Sequence, residues 1–133
     1  MKDFELARVL LVDDDATNRL TLKTVLQAGG YSVDSAASAA EAFGKMEESE
    51  YELVLSDMQM ESPEAGLGVL KHARMMAYKP ATALITASRD SSRVGTSVVV
   101  EDEDVSGLLS KIADMISLRA SRRLAREMRL AGV

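Results

Sequence analysis

Four consecutive apolar residues, Val9-Leu10-Leu11-Val12, stop at three aspartates, Asp13-Asp14-Asp15. The run is too short for an ordinary helix and lacks the alternation of a strand with one wet face. It reads as a strand buried on both sides. Such a strand needs one layer of structure above it and another below. The signal recurs at Leu53-Val54-Leu55, which leads to Asp57, in residues 82–86, which end at Thr86, and in residues 97–100. Helical patterns separate these runs. Asp15 or Thr17 can cap a helix with Leu22, Val25 and Leu26 on one face, and Gly29-Gly30 ends it. Residues 31–35 read as a short strand. Ser38 with Glu41 three positions on forms a capping box for a helix presenting Ala39, Phe43 and Met46. A loop holding Pro63 and Gly66 leads to a helix with Leu67, Leu70, Ala73 and Met76, closed by Pro80. Residues 88–92 are polar, and an acidic stretch over 101–104 precedes a last helix from about Val105. Buried strands alternating with helices predict an α/β fold, a doubly wound parallel sheet with right-handed crossovers.

The chain has 133 residues, the size of one domain, and 47% hydrophobic residues suffice for one core. It contains no cysteine, which excludes disulfides and thiolate metal sites. The first apolar run meets aspartates too early for a signal peptide, and no run approaches the roughly 18 residues of a membrane span. A cytoplasmic location without membrane contact is the expectation. The net charge is −5, yet from Arg119 onward five arginines face one glutamate, so the preceding body is strongly acidic. We divide the chain into a domain over residues 1–118 and a basic helical extension over 119–133.

In a doubly wound sheet, ligands bind at the carboxyl ends of the strands. Asp13, Asp14, Asp57 and Thr86 all fall at such ends. Three neighbouring carboxylates repel unless a cation sits among them, and an oxygen-only donor set selects a hard ion such as Mg2+. A carboxylate can also accept a phosphoryl group, whose charge the metal would neutralise. Asp15 reads as a helix cap rather than a ligand.

The segments Val9-Leu10-Leu11-Val12-Asp13-Asp14-Asp15, Leu53-Val54-Leu55-Ser56-Asp57-Met58-Gln59-Met60 and Ile85-Thr86-Ala87 together resemble the receiver domain of two-component response regulators. The resemblance spans roughly residues 7–118. It implies a flavodoxin-like sheet of five parallel strands in the order 2-1-3-4-5. It implies Asp57 as phosphoacceptor, with Mg2+ (or Mn2+) held by Asp13, Asp14, Asp57 and the backbone carbonyl of Gln59. Thr86, with Ala87 beside it, matches the switch hydroxyl that contacts the phosphoryl group. The implied partners are a histidine kinase or histidine phosphotransfer protein and a downstream protein target, with no enzymatic turnover. The chain departs from the family where Glu101 stands at the place of a balancing lysine, and Val98 occupies the aromatic switch position. The segment between Thr86 and the last strand is short, so the fourth helix of the family is expected to be reduced or missing. Arg89 or Arg93 is a candidate for the missing positive charge.

The last helix can run from Asp104 almost to Ala131. Its first half places Val105, Leu108, Leu109, Ile112, Met115 and Ile116 on a core-facing arc. The same arc then carries Arg119, Arg123 and Arg126, while Ala120, Leu124 and Met128 form another stripe. Arg119, Arg122, Arg123, Arg126, Leu124 and Met128 therefore read as a partner surface, meeting acidic protein or a second copy in a homodimer. No nucleic-acid motif accompanies the arginines, and nucleic acid is not an expected partner. Two other readings are a phosphorylation-independent pseudo-receiver and a haloacid-dehalogenase-like phosphatase using Asp13 and Asp15. His72 reads as a surface residue.

Overall fold

A computed structural model of the chain describes residues 7–57, 62–86, 93–94, 97–101 and 105–132. Strand β1 (Arg8–Val12) leads to α1 (Ala16–Ala28), β2 (Ser32–Ala36), α2 (Ala39–Glu48), β3 (Leu53–Asp57) and α3 (Pro63–Met75). Then come β4 (Ala81–Thr86), β5 (Arg93–Val94), β6 (Ser97–Glu101) and α4 (Val105–Leu130). The sheet order is β2-β1-β3-β4-β6-β5. Its first five strands are parallel, as the alternation of elements requires, and β5 pairs antiparallel with β6 at the edge. The two-residue β5 has no counterpart in the sequence reading, because a pair this short carries no periodicity. No helix lies between β4 and β6 among the described residues; residues 88–92 fall outside them.

Parity along the strands divides the core. Val9 and Leu11 of β1 and Leu53 and Leu55 of β3 pack with Leu22 and Leu26 of α1 and Leu108 and Ile112 of α4. Leu10, Val12 and Val54 point the other way, onto Ala42 and Met46 of α2 and Val69 and Ala73 of α3. The central strands are thus dry on both faces, which explains their unbroken apolar sequence.

Local signals fix the ends of the elements. Asp15 caps α1, accepting from the backbone N–H groups of Thr17 and Asn18. Gly30, at φ 100°, turns the chain out of α1 in a conformation that favours glycine. The Ser38 hydroxyl accepts from the Glu41 N–H at 3.1 Å. The Glu41 carboxylate reaches back to the N–H of Ala37, one residue before the cap, instead of to Ser38 itself.

Helix α3 departs from the sequence reading. Ser62 is its cap and Pro63 its first residue, so Gly66 lies inside the helix rather than in a loop. The helix therefore begins earlier, and its buried face is Val69, Leu70 and Ala73, whereas Leu67 is 46% exposed. Proline is well suited to the first helical position because its missing N–H has no partner there. The helix ends at Met75, and Pro80 instead precedes β4. His72, expected on the surface, is half-buried and stacks on Phe43 with ring centroids 4.5 Å apart.

The central strands set the stability. Leu55 is fully buried and Leu20 is exposed. Replacing Leu55 with Ala is expected to lower unfolding free energy by about 2–5 kcal/mol. Leu20→Ala should change it by roughly 0.5 kcal/mol or less. Urea denaturation of the two variants checks this contrast.

Candidate acidic metal and phosphoryl site

Parallel register brings the acidic residues together. In β1 and β3, Leu11 lies opposite Leu55 and Val12 opposite Ser56. Carrying that register one residue further sets Asp13 against Asp57. Asp13 shares the parity of Val9 and Leu11, and Asp57 that of Leu53 and Leu55, so both carboxylates leave the sheet on the α1/α4 side. Asp14 follows in the β1–α1 turn. One carboxylate oxygen from each of Asp13, Asp14 and Asp57 lies within 4.8 Å of the other two.

Asp13 is 1% exposed, the deepest of the three. Its backbone N–H bonds to the Ala36 carbonyl at 3.0 Å, which ties it to the end of β2. Its Oδ1 accepts from the Asp15 N–H at 2.9 Å and its Oδ2 from the Asn18 amide at 3.1 Å. The Arg19 guanidinium donates to the Asp13 carbonyl at 2.7 Å. Burial pushes the Asp13 carboxyl from 3.8 up to about 6. The Asp15 N–H and the Asn18 amide oppose that rise, while the neighbouring Asp57 reinforces it through its charge and a hydrogen bond. The pocket thus carries more negative charge than its own donors neutralise.

The donor set fits a hard divalent cation: only oxygen, three carboxylates, one of them desolvated. Asp13, Asp14 and Asp57 could hold the ion. Gln59 and Ala87, named from the sequence, lie outside the described residues, as does Arg89. Thr86 ends β4, one residue beyond the position that pairs Asp57 with Ile85. The backbone pairs Thr86 with Glu101 of β6, so the acidic substitution sits at the same edge of the sheet. Arg93 lies in the edge strand β5. Asp15 caps α1 through its Oδ1, as the sequence reading expected of it.

The sequence reading missed Asn18 and Arg19. Both sit in the first turns of α1, five and six residues after Asp13. A polar pair at that spacing behind a strand-end aspartate was the available signal. The arginines of the extension are also distributed differently from a simple exposed face. Arg119 turns inward and donates to the carbonyls of Tyr78 at 2.6 Å and Lys79 at 2.9 Å. Arg123 pairs with Glu127 at 3.3 Å along the helix. Arg122, Arg126, Leu124 and Met128 are exposed.

Residues 9–122 match the family described as response regulator receiver domain. The CpxR homolog of Haemophilus influenzae, a transcriptional regulatory protein, is 36% identical over 89 residues, covering 67% of this chain and 38% of that protein. The transcriptional regulatory protein ResD of Bacillus subtilis is 31% identical over 87 residues, with 65% and 36% covered. The chain thus spans under two fifths of the length of these curated relatives. Among solved structures, the response regulator protein TrrA of Thermotoga maritima, in complex with Mg(2+)-BeF, superposes with a TM-score of 0.70 at 30% identity. That match covers 83% of this chain and 99% of TrrA.

The burial of Asp13 and the charge beside it have a measurable consequence. In metal-free protein the folded state holds the Asp13 proton more tightly than the unfolded chain does. Through this group, stability is therefore greatest below pH 3.8 and falls as pH rises toward about 6. Carbon-detected NMR titration is expected to give Asp13 a midpoint near 6, and Asp57→Asn to lower it by removing the neighbouring charge. A midpoint in the ordinary aspartate range, unmoved by Asp57→Asn, would contradict the geometry.

Proposed function

We propose that this chain, which belongs to the response regulator receiver domain family, accepts a phosphoryl group on Asp57 from a histidine kinase or histidine phosphotransfer protein. Receiver domains are signalling modules, and the product here is a changed surface read by protein partners. The reading rests on one observation above all: Asp57 stands at a strand end within 4.8 Å of two further carboxylates. That is the arrangement of a metal-assisted acceptor. A structural ion pair would instead oppose a carboxylate with a cation.

In the transfer, a carboxylate oxygen of Asp57 attacks phosphorus. The P–N bond of a phosphohistidine breaks as the P–O bond forms, and the released imidazole nitrogen takes up a proton. Bound Mg2+ (or Mn2+) supplies positive charge to the phosphoryl oxygens. Asp13, Asp14, Asp57 and the Gln59 carbonyl are the proposed ligands. Asn18 and the Asp15 N–H position Asp13 by occupying one lone-pair direction on each of its oxygens. Thr86 is the proposed hydroxyl that meets the phosphoryl group, with Ala87 adjoining it.

Glu101 favours a second reading. Its backbone lies opposite Thr86, where a cation would balance the phosphorylated site. With Asp13, Asp14 and phosphorylated Asp57 near −4, one Mg2+ leaves about −2, and an ionised Glu101 would add to it. A module that binds partners without phosphorylation avoids that cost.

Incubation with Mg2+ and acetyl phosphate, followed by intact-protein mass spectrometry, separates the two readings. A gain of one phosphoryl group is expected, abolished by a chelator and by Asp57→Ala. No gain would leave the phosphorylation-independent module standing, and a gain that persists in Asp57→Ala would overturn Asp57 as the acceptor.

A further inference from the structure

The far end of the sheet carries charge of the opposite sign. A groove of about 600 Å3 lies between the α3–β4 turn and the second half of α4. Arg74, Lys79, Arg119, Arg122 and Arg126 line it, and among the described residues no carboxylate does. Its floor is apolar, with Pro80, Met115 and Leu118 contributing. A neighbouring hollow of about 310 Å3 differs, because Glu50 and Glu127 face its arginines. The groove begins where β4 begins, at Ala81, whereas Thr86 ends that strand beside the acidic site. The two sites are thus separated by roughly 16 Å of strand.

The groove is held open by internal bonds. Arg119 clamps α4 to the α3–β4 turn through the carbonyls of Tyr78 and Lys79. Lys79 has φ 46°, and its ammonium donates to the Arg74 carbonyl at 2.8 Å. The Tyr78 hydroxyl donates to the Met46 carbonyl at 3.0 Å, which anchors the same turn on α2. Arg122 and Arg126 continue from Arg119 at successive turns of one helix. Like charges at that spacing repel, and Arg126 also borders the hollow that Glu50 and Glu127 line. Leu118 is 51% exposed at their foot.

We propose that this groove docks an acidic segment of a partner protein in which carboxylate side chains are interleaved with apolar ones. The inference rests on the reading that the chain works through protein partners, and it adds the surface and the chemistry of one of them. Charge complementarity selects the occupant. The cationic rim asks for carboxylates, and half-exposed Leu118 beside part-buried Met115 asks for apolar side chains between them. From Met115 to Arg126 the helix offers roughly 16 Å of lining, long enough for a peptide segment and longer than a single small anion needs. A second copy placed symmetrically on this face would set arginines against arginines. Nucleic acid would meet the strongly acidic body of the same domain.

Fluorescence anisotropy with the full chain and a labelled synthetic peptide of repeating Glu-Glu-Leu units tests the proposal. Binding is expected at low salt and should weaken as salt rises, since screening shortens to about 8 Å at physiological ionic strength. Arg122→Glu combined with Arg126→Glu should cost about tenfold or more in affinity. Lys23→Glu on α1, the same change of sign away from the groove, should cost less than about twofold. The milder pair Arg122→Ala and Arg126→Ala, with circular dichroism on each variant, keeps the test valid if charge reversal disturbs folding. Absence of peptide binding at low salt would overturn the proposal. So would equal losses in the α1 and groove variants, or preference for a DNA duplex over the peptide. Asp57→Asn should leave peptide binding unchanged, so failure of phosphoryl uptake and failure of this docking site are read separately.

Discussion

The register between β1 and β3 places like charges side by side at the end of a dry sheet, and the candidate site depends on it. Leu11 opposite Leu55 and Val12 opposite Ser56 lead directly to Asp13 opposite Asp57. A one-residue slip would send one of the two carboxylates to the opposite face of the sheet. The slip is resisted by the core itself, because Val9, Leu11, Leu53 and Leu55 share one cluster with α1 and α4. Leu10, Val12 and Val54 share the other with α2 and α3. Hydrophobic burial on two faces therefore fixes an electrostatically unfavourable contact. Burial first, and then the neighbouring Asp57 charge, raise the affinity of Asp13 for its proton.

Much of this was legible in the sequence. Unbroken apolar runs at Val9-Leu10-Leu11-Val12 and Leu53-Val54-Leu55 require coverage on both faces, and that requirement leads to a doubly wound parallel sheet. Each run leads to an aspartate, and strand ends in such a sheet meet along one edge. The Asp15 cap and the Ser38–Glu41 pair were readable because capping is local chemistry.

What was not legible depends on contacts between distant residues or on weak local signals. The phase of α3 was misjudged because Gly66 suggested a loop, while Ser62-Pro63 was the real helix start. Leu67 then took a core position that belongs to Val69. Strand β5 is too short to show a pattern. Arg119 resembled its exposed neighbours in sequence, yet it is the one that reaches back to Tyr78 and Lys79, a contact across some forty positions. Burial lowers its guanidinium below the ordinary value, with Glu52 opposing and Arg123 reinforcing the change. The basic groove lies where that contact ties α4 to the α3–β4 turn. The domain thus carries an acidic end, built by strand register, and a basic end, built by a helix that outlasts the sheet.

Asp13, Asp14 and Asp57 at the acidic end form the donor set of a divalent-cation site. Isothermal titration of the metal-free protein with Mg2+ near pH 6 addresses that assignment most directly, in two buffers of different ionisation enthalpy. One saturable binding event is expected, with release of a fraction of a proton, because Asp13 is part-protonated at that pH and must ionise to act as a ligand. Asp13→Asn should remove the proton release and weaken binding. Absence of saturable Mg2+ binding, or binding with no proton linkage and no dependence on Asp13, would contradict it.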